Sequence, residues 1–97
     1  MRREIKTHPL FERNFKRRIS NKKGLVNKYK TAYLKFVLDP EHPDLKPHLL
    51  KGNLHGFKAF WVDDDCRVVY KEYDSFIILY DIGTHTQVYK KSAKPRL

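Results

Sequence analysis

Five histidines are spread along this 97-residue chain, and three of them, His48, His55 and His85, lie from its middle onward among Lys51, Lys58, Asp65 and Arg67. Histidine has a reference pKa of about 6.5, so its side chain can take up or release a proton near physiological pH. Arginine and lysine can hold a phosphate and stabilise charge developing on it. Together these groups suit the cutting of RNA without a metal. The RNA supplies its own 2′-OH as nucleophile. A protein must then help remove that proton, protonate the departing 5′-oxygen and neutralise the phosphate.

Each residue also has a plainer reading. His85 follows an apolar run, in Gly83-Thr84-His85, a place that commonly carries function but also accommodates a cap. His48 follows Pro47 at a loop end and His55 sits between Leu54 and Gly56; taken alone, either is more often a surface residue. His8 and His42 read as surface or capping residues, and Asp63 and Asp64 as turn formers. Asp65 has a better claim because it enters the strand bearing Arg67. For Arg67, pairing with the acidic turn and binding phosphate are equally good explanations. Tyr89 is balanced between stacking on a base and covering a sheet edge.

Other chemistries lack their residues. The histidines do not have the i, i+4 helical spacing of a zinc protease, and the single cysteine, Cys66, cannot build a structural zinc site or an internal disulfide. Gly83 is not within a phosphate-cradling glycine loop. There is no G-x-S-x-G, and Cys66 belongs to a strand rather than to a Cys-His pair. No metal and no cofactor is expected.

The elements that must position these residues follow from periodicity. Residues 2–7 form a short first strand, with Ile5 its strong apolar residue. Thr7-His8-Pro9 reads as a helix start. Leu10, Phe11, Phe15 and Ile19 then recur at helical spacing, which predicts a helix over residues 9–20. After a polar break at 21–24, Leu25, Val26, Tyr29, Tyr33, Phe36 and Val37 make a second helical stripe that ends before Asp39-Pro40. Residues 39–47 carry three prolines and read as a loop. Three strands follow, at 57–62, 67–73 and 76–82, separated by breaks short enough for an antiparallel meander. The last is apolar nearly throughout, as in a strand covered on both faces. Residues 84–89 lead into a basic, frayed tail over 90–97. The order β-α-α-β-β-β describes a single α+β domain, two N-terminal helices packed on an antiparallel sheet.

Charge narrows the partners. Lys and Arg number 21 against 11 Asp and Glu, a net of +10. Residues 1–35 hold 12 basic and 2 acidic side chains, residues 36–86 hold 5 and 9, and residues 87–97 hold 4 and none. A net charge of +10 exceeds the roughly 2–8 that solubility calls for, and its clustering is the footprint of a polyanion binder. No apolar run of about 18 residues is present, so no membrane span is expected. The start of the chain lacks the apolar region of a signal peptide. One cysteine fits a reducing cytosol.

Three stretches then resemble a known family: His48-Leu-Leu-Lys-Gly-Asn-Leu-His-Gly-Phe-Lys58, Asp65-Cys-Arg-Val-Val-Tyr-Lys71 and Asp81-Ile-Gly-Thr-His-Thr-Gln-Val-Tyr89. They are similar to the C-terminal half of YafQ-like members of the RelE superfamily. The Gly-Thr-His followed four residues later by an aromatic is the most specific piece. The Leu-Lys-Gly and Arg-Val-Val-Tyr pieces recur across the wider superfamily. The resemblance implies a cytoplasmic type II toxin that enters the ribosomal A site, cuts mRNA and is held inactive by a cognate antitoxin. It implies His85 as general acid, with His48 or Asp65 as base. Arg67, helped by Lys51 and Lys58, would hold phosphate, and Tyr89 would stack on the substrate. Three positions depart from the pattern: Trp61 replaces a histidine, Cys66 a tryptophan and Asp81 an arginine, so charge stabilisation falls to Arg67. The alternatives are a ParE-like toxin of the same fold that binds a topoisomerase, and a basic RNA-binding module without catalysis. A pure binder would not need the histidines and acid. The antitoxin is expected to be a small acidic or amphipathic chain wrapping the basic face.

Overall fold

The computed structural model describes residues 3–89. Arg2 of the expected first strand and the expected basic tail at 90–97 lie outside them. Helix α1 (Pro9–Arg18) begins where the sequence places it. The His8 ring Nδ1 accepts a hydrogen bond from the Leu10 amide at 3.0 Å, and Pro9 fills the first turn, where no amide proton is needed. Lys16, Arg17 and Arg18 sit in its last turn, favourably placed against the negative end of the helix dipole. Helix α2 (Lys23–Leu38) has no side-chain cap and no acidic residue in its first turn. Burial holds it in place instead: Ala32 and Phe36 are buried, with Leu25, Val26, Tyr29 and Tyr33 packed against the same core.

The remaining strands are β1 (Glu4–Thr7), β2 (His48–Leu49), β3 (Lys58–Asp63), β4 (Cys66–Glu72) and β5 (Phe76–Gly83). They form one sheet in the order β1-β5-β4-β3-β2. β3, β4 and β5 are the expected antiparallel meander. Two edge strands complete the sheet. β2, unforeseen, pairs antiparallel with β3. β1 pairs parallel with β5, Ile5 opposite Ile77, which makes the sheet mixed rather than antiparallel throughout. Almost the whole chain, including the helical hairpin, separates β1 from β5, so no tight turn dictates their direction.

Within residues 39–47, where the sequence alone indicates a plain loop, Pro43–Leu45 forms a 3-10 turn capped by the His42 ring Nδ1, which accepts from the Asp44 amide at 3.1 Å. A second such turn, Gly52–Leu54, leads into β3. Gly52 there has φ 64°, which gives the Gly of the Leu-Lys-Gly segment a backbone reason. The largest difference from expectation is at the end. Residues 84–89, where the sequence reading assigns no element, contain helix α3 (His85–Tyr89). Thr84 Oγ1 accepts from the Gln87 amide at 3.2 Å, and Gln87 Oε1 accepts from the Thr84 amide at 2.9 Å. This reciprocal pair is a capping box, and Thr84-His85-Thr86-Gln87 has its T-x-x-Q signature.

The sheet separates two apolar clusters. On one face α1 and α2 cover Phe60, Val68, Tyr70, Ile77, Leu79 and Ile82. On the other, α3 and the 50–57 loop cover a smaller cluster that includes Phe57, Val69, Tyr80 and Val88. Beyond the edge of this smaller cluster no described element covers the sheet.

Candidate active site

Strand alternation determines what appears on that uncovered surface. Trp61 of β3 lies directly opposite Arg67 of β4, and Arg67 opposite Gly83 of β5. One row over, His48 of β2 lies opposite Ala59 of β3, and Ala59 opposite Val69. Ala59 and Trp61 are two residues apart and share a face, so His48, Trp61 and Arg67 emerge on the same side. Gly83 leads through Thr84 to His85. The result is an open cleft of about 460 Å³ lined by Lys46, His48, Trp61, Arg67, His85 and Tyr89.

Each side chain in the cleft is held from behind. The His48 ring Nδ1 lies 2.9 Å from the Lys46 carbonyl oxygen. A carbonyl can only accept, so Nδ1 carries the proton and donates it, and in the neutral ring Nε2 is left as the acceptor. His85 is the first residue of α3 and exposed, and the capping box holds the turn before it. Tyr89, one helical turn later, packs edge-on against it with ring centroids 4.5 Å apart. The Tyr89 hydroxyl is buried without a hydrogen-bond partner among the described residues. Burial raises its pKa, against an opposing pull from nearby Arg67.

Arg67 is 7% exposed. Its Nη1 donates to the carbonyl oxygens of Asp63 at 2.8 Å and Cys66 at 3.3 Å, and its guanidinium carbon lies 3.8 Å from the Trp61 ring centroid. A cation on an indole face contributes on the order of 0.5–2 kcal/mol. The acidic turn thus engages Arg67 through backbone carbonyls rather than carboxylates. Nη2 and Nε make no hydrogen bond within the described residues, so they remain able to donate to a ligand.

The other expected site residues are elsewhere. Asp65 sits exposed on the β3–β4 turn, its amide donating to Asp63 Oδ1 at 2.9 Å. It lines a separate cavity of about 200 Å³ beside Arg17, Arg18 and Lys22 rather than the histidine cleft. Lys51 is exposed at the start of the Gly52–Leu54 turn and outside the cleft lining. Lys58 alternates away from Trp61 and is bound by Glu41 at 3.0 Å and Glu72 at 3.1 Å. Burial disfavours its charge, but those two carboxylates outweigh it and raise its pKa. His55 caps the Gly52–Leu54 turn. Sequence reasoning missed Lys46, whose signal was only its place two residues before His48.

The three departures resolve in different ways. Trp61 walls the cleft and supports Arg67. Cys66 is buried among the helix-facing core residues, and burial pushes its thiol up to about 12, which suits packing and not nucleophilic attack. Asp81 is also buried, 2% exposed, and outside the cleft. Its Oδ1 accepts from Asn14 Nδ2 at 2.7 Å and from the Ile82 amide at 2.8 Å, with Arg18 at 3.4 Å. Arg18 also donates to the Ile82 carbonyl oxygen at 3.0 Å, tying α1 to the strand end that precedes His85. A Cβ on Gly83 would come within 2.6 Å of Gln87 Oε1 and 2.7 Å of Arg18 Nη1, so both flexible ends would have to shift to admit one.

No helix among the described residues is long and apolar enough to cross a membrane. No curated protein sequence matches the chain. Among solved structures, YafQ from E. coli strain BL21(DE3) superposes with a TM-score of 0.75 at 22% identity, over 91% of this chain and 99% of that one. The toxin–antitoxin complex of E. coli DinJ and YafQ gives a TM-score of 0.74 at 22% identity, over 93% and 100%. The YoeB dimer from Staphylococcus aureus gives 0.64 at 25% identity, over 88% and 99%. These likenesses establish a RelE/YoeB-like α+β fold. The family model described as "Bacterial toxin of type II toxin-antitoxin system, YafQ" matches residues 3–90. The chain belongs to the YafQ family of type II toxin–antitoxin toxins.

Proposed function

We propose that the protein is a ribosome-dependent endoribonuclease that cuts mRNA in the A site by acid–base catalysis on the RNA 2′-OH. The observation that carries this reading is the cleft holding two histidines and a carboxylate-free arginine. His48, with Nδ1 donating to the Lys46 carbonyl, presents Nε2 as the base that takes the 2′-OH proton. His85, on the other side of the cleft and held by the α3 cap, gives a proton to the leaving 5′-oxygen. Arg67 holds the phosphate and stabilises its developing charge, and Tyr89 stacks on the substrate base. Asp65, Lys51 and Lys58 lie outside this cleft, which favours His48 as the base and leaves Arg67 as the principal phosphate ligand.

The basic α1–α2 hairpin is proposed to dock on ribosomal RNA, with affinity that falls steeply as salt rises. A cognate antitoxin in the same cytoplasm would neutralise the toxin, as the crystallised DinJ–YafQ pair illustrates for the E. coli protein. Induction of the wild-type protein and of His85→Gln tests the reading. Wild type should arrest growth with mRNA cut inside reading frames, and the variant should do neither. Arrest that persists in the variant with intact mRNA would favour a ParE-like topoisomerase binder instead.

A further inference from the structure

Asn14 and Arg18 stand one turn apart on α1 and meet the end of β5 together. Asp81 Oδ1 accepts from Asn14 Nδ2 at 2.7 Å and from Arg18 Nη1 at 3.4 Å. The same Arg18 nitrogen donates to the Ile82 carbonyl oxygen at 3.0 Å. At Gly83, the next residue, Arg18 Nη1 and Gln87 Oε1 lie 2.7 and 2.6 Å from the point where a Cβ would stand, so both crowd one side of it. Gln87 is the residue that closes the α3 capping box on Thr84. One guanidinium nitrogen therefore reaches all of the last three residues of β5, where the chain turns into α3.

With only five residues, α3 is too short to be stable by itself, so its neighbours must hold it. Val88 anchors its far end in the smaller apolar cluster. Its near end carries the exposed His85, two residues beyond Gly83, and takes its place from the end of β5. We propose that Arg18 is a positioning residue that sets where His85 stands in the cleft, acting through Asp81, Ile82 and the α3 cap. Arg18 itself lies outside the cleft lining. That His85 is the acid rests on the function proposed above; that Arg18 holds its helix does not. The departure at Asp81 thereby acquires a role, since a carboxylate can receive Asn14 and Arg18 where an arginine, which only donates, could not.

Arg18→Met keeps the apolar stem and removes the donors. At saturating protein it should slow single-turnover cleavage of ribosome-bound mRNA roughly 10–100-fold, the scale expected of a misplaced catalytic group. In a His85→Gln background the same change should cost nothing further, because a residue that acts through His85 has nothing left to position. Equal losses in the two backgrounds would overturn the proposal. Both ties use one nitrogen, so Arg18→Lys, whose ammonium can stand in for it, should restore most of the rate. A readout without activity is hydrogen exchange in the free protein. The Thr84 and Val88 amides, bonded to Gln87 Oε1 and the Thr84 carbonyl, should exchange at least roughly tenfold faster in Arg18→Met, while amides of the β3–β4 pairing keep their rates. Unchanged exchange at Thr84 and Val88, or an equal rise across the sheet, would contradict a local tie. The two proposals fail separately: exchange that loosens only at α3, beside ribosome-bound mRNA left intact by wild type, would support the tie and overturn the nuclease.

Discussion

The two faces of one sheet are built by opposite rules. β4 shows this in consecutive residues: Cys66, Val68 and Tyr70 point into the helix-covered core, while Arg67 and Val69 belong to the other side. On the helix side most buried neighbours are apolar or aromatic, as where Phe36 stacks on Phe60 at 4.5 Å and meets Tyr70 edge-on at 4.8 Å, and Asn14 with Asp81 is the buried polar pair. On the cleft side the strands carry a tryptophan, an arginine and a histidine, and a lysine in a strained backbone stands beside them. The helix face supplies most of the apolar burial, and the cleft side of the other face leaves charged groups open to a ligand. Damage to the first should therefore appear in stability, and damage to the second in function at constant stability.

The largest expected effect is on the helix face. Phe36→Ala removes a fully buried ring from the middle of the aromatic stack and should cost about 3–5 kcal/mol. That is a large share of the roughly 5–15 kcal/mol that stabilises a small domain, and denaturant unfolding would measure it. On the cleft side, the exposed His85 changed to Gln should lower cleavage by about 10²–10⁴-fold while leaving the denaturation midpoint nearly unchanged. A matching loss of stability would blur the division between the faces.

Asp81 tests the boundary between them. Burial raises its carboxyl pKa above the ordinary value of 3.8, against the lowering effects of Asn14, the Ile82 amide and Arg18. The folded protein therefore keeps this proton at a pH where the unfolded chain has released it. Its contribution to stability should fall as pH rises from 3.8 through the folded value. Asp81→Asn keeps an oxygen for the Asn14 bond and removes the titration. Thermal melts of the variant between pH ~3.5 and ~7 should lack that downward component. A wild-type stability that climbs more steeply than the variant's in this window would give the shift the opposite sign.

The smallest effect sharpens the contrast most. Lys46→Gly relieves the left-handed backbone and should raise stability by roughly 0.5–1 kcal/mol. Calorimetry would measure the gain, and a lower melting temperature in the variant would contradict it.

The legible parts of the fold were those with repeated pattern. α1, α2 and the β3–β5 meander each repeat a helical or two-residue period over enough residues to stand out, and the His8-Pro9 start marks α1 locally. β2 spans two exposed residues, so no pattern could announce it. The parallel pairing of β1 with β5 joins residues about seventy positions apart, beyond the reach of local chemistry. α3 is only five residues long, yet its T-x-x-Q box was present to be read. In the site, His48, Arg67, His85 and Tyr89 were legible as motif members, and the cleft collects all four. Lys58 shares those motifs, but alternation along β3 turns it away from Trp61 to Glu41 and Glu72. Lys46 has no motif; its importance arises from a backbone angle that composition does not reveal.

The most direct test of the central claim is single-turnover cleavage of ribosome-bound mRNA across pH, comparing wild type with His48→Gln and His85→Gln. A neutral base and a protonated acid working together predict a bell-shaped profile for wild type. His48→Gln should lose the acidic limb and His85→Gln the alkaline one, each at a rate reduced by about 10²–10⁴-fold. Intact mRNA with wild-type protein, or wild-type rates in both variants, would contradict the account.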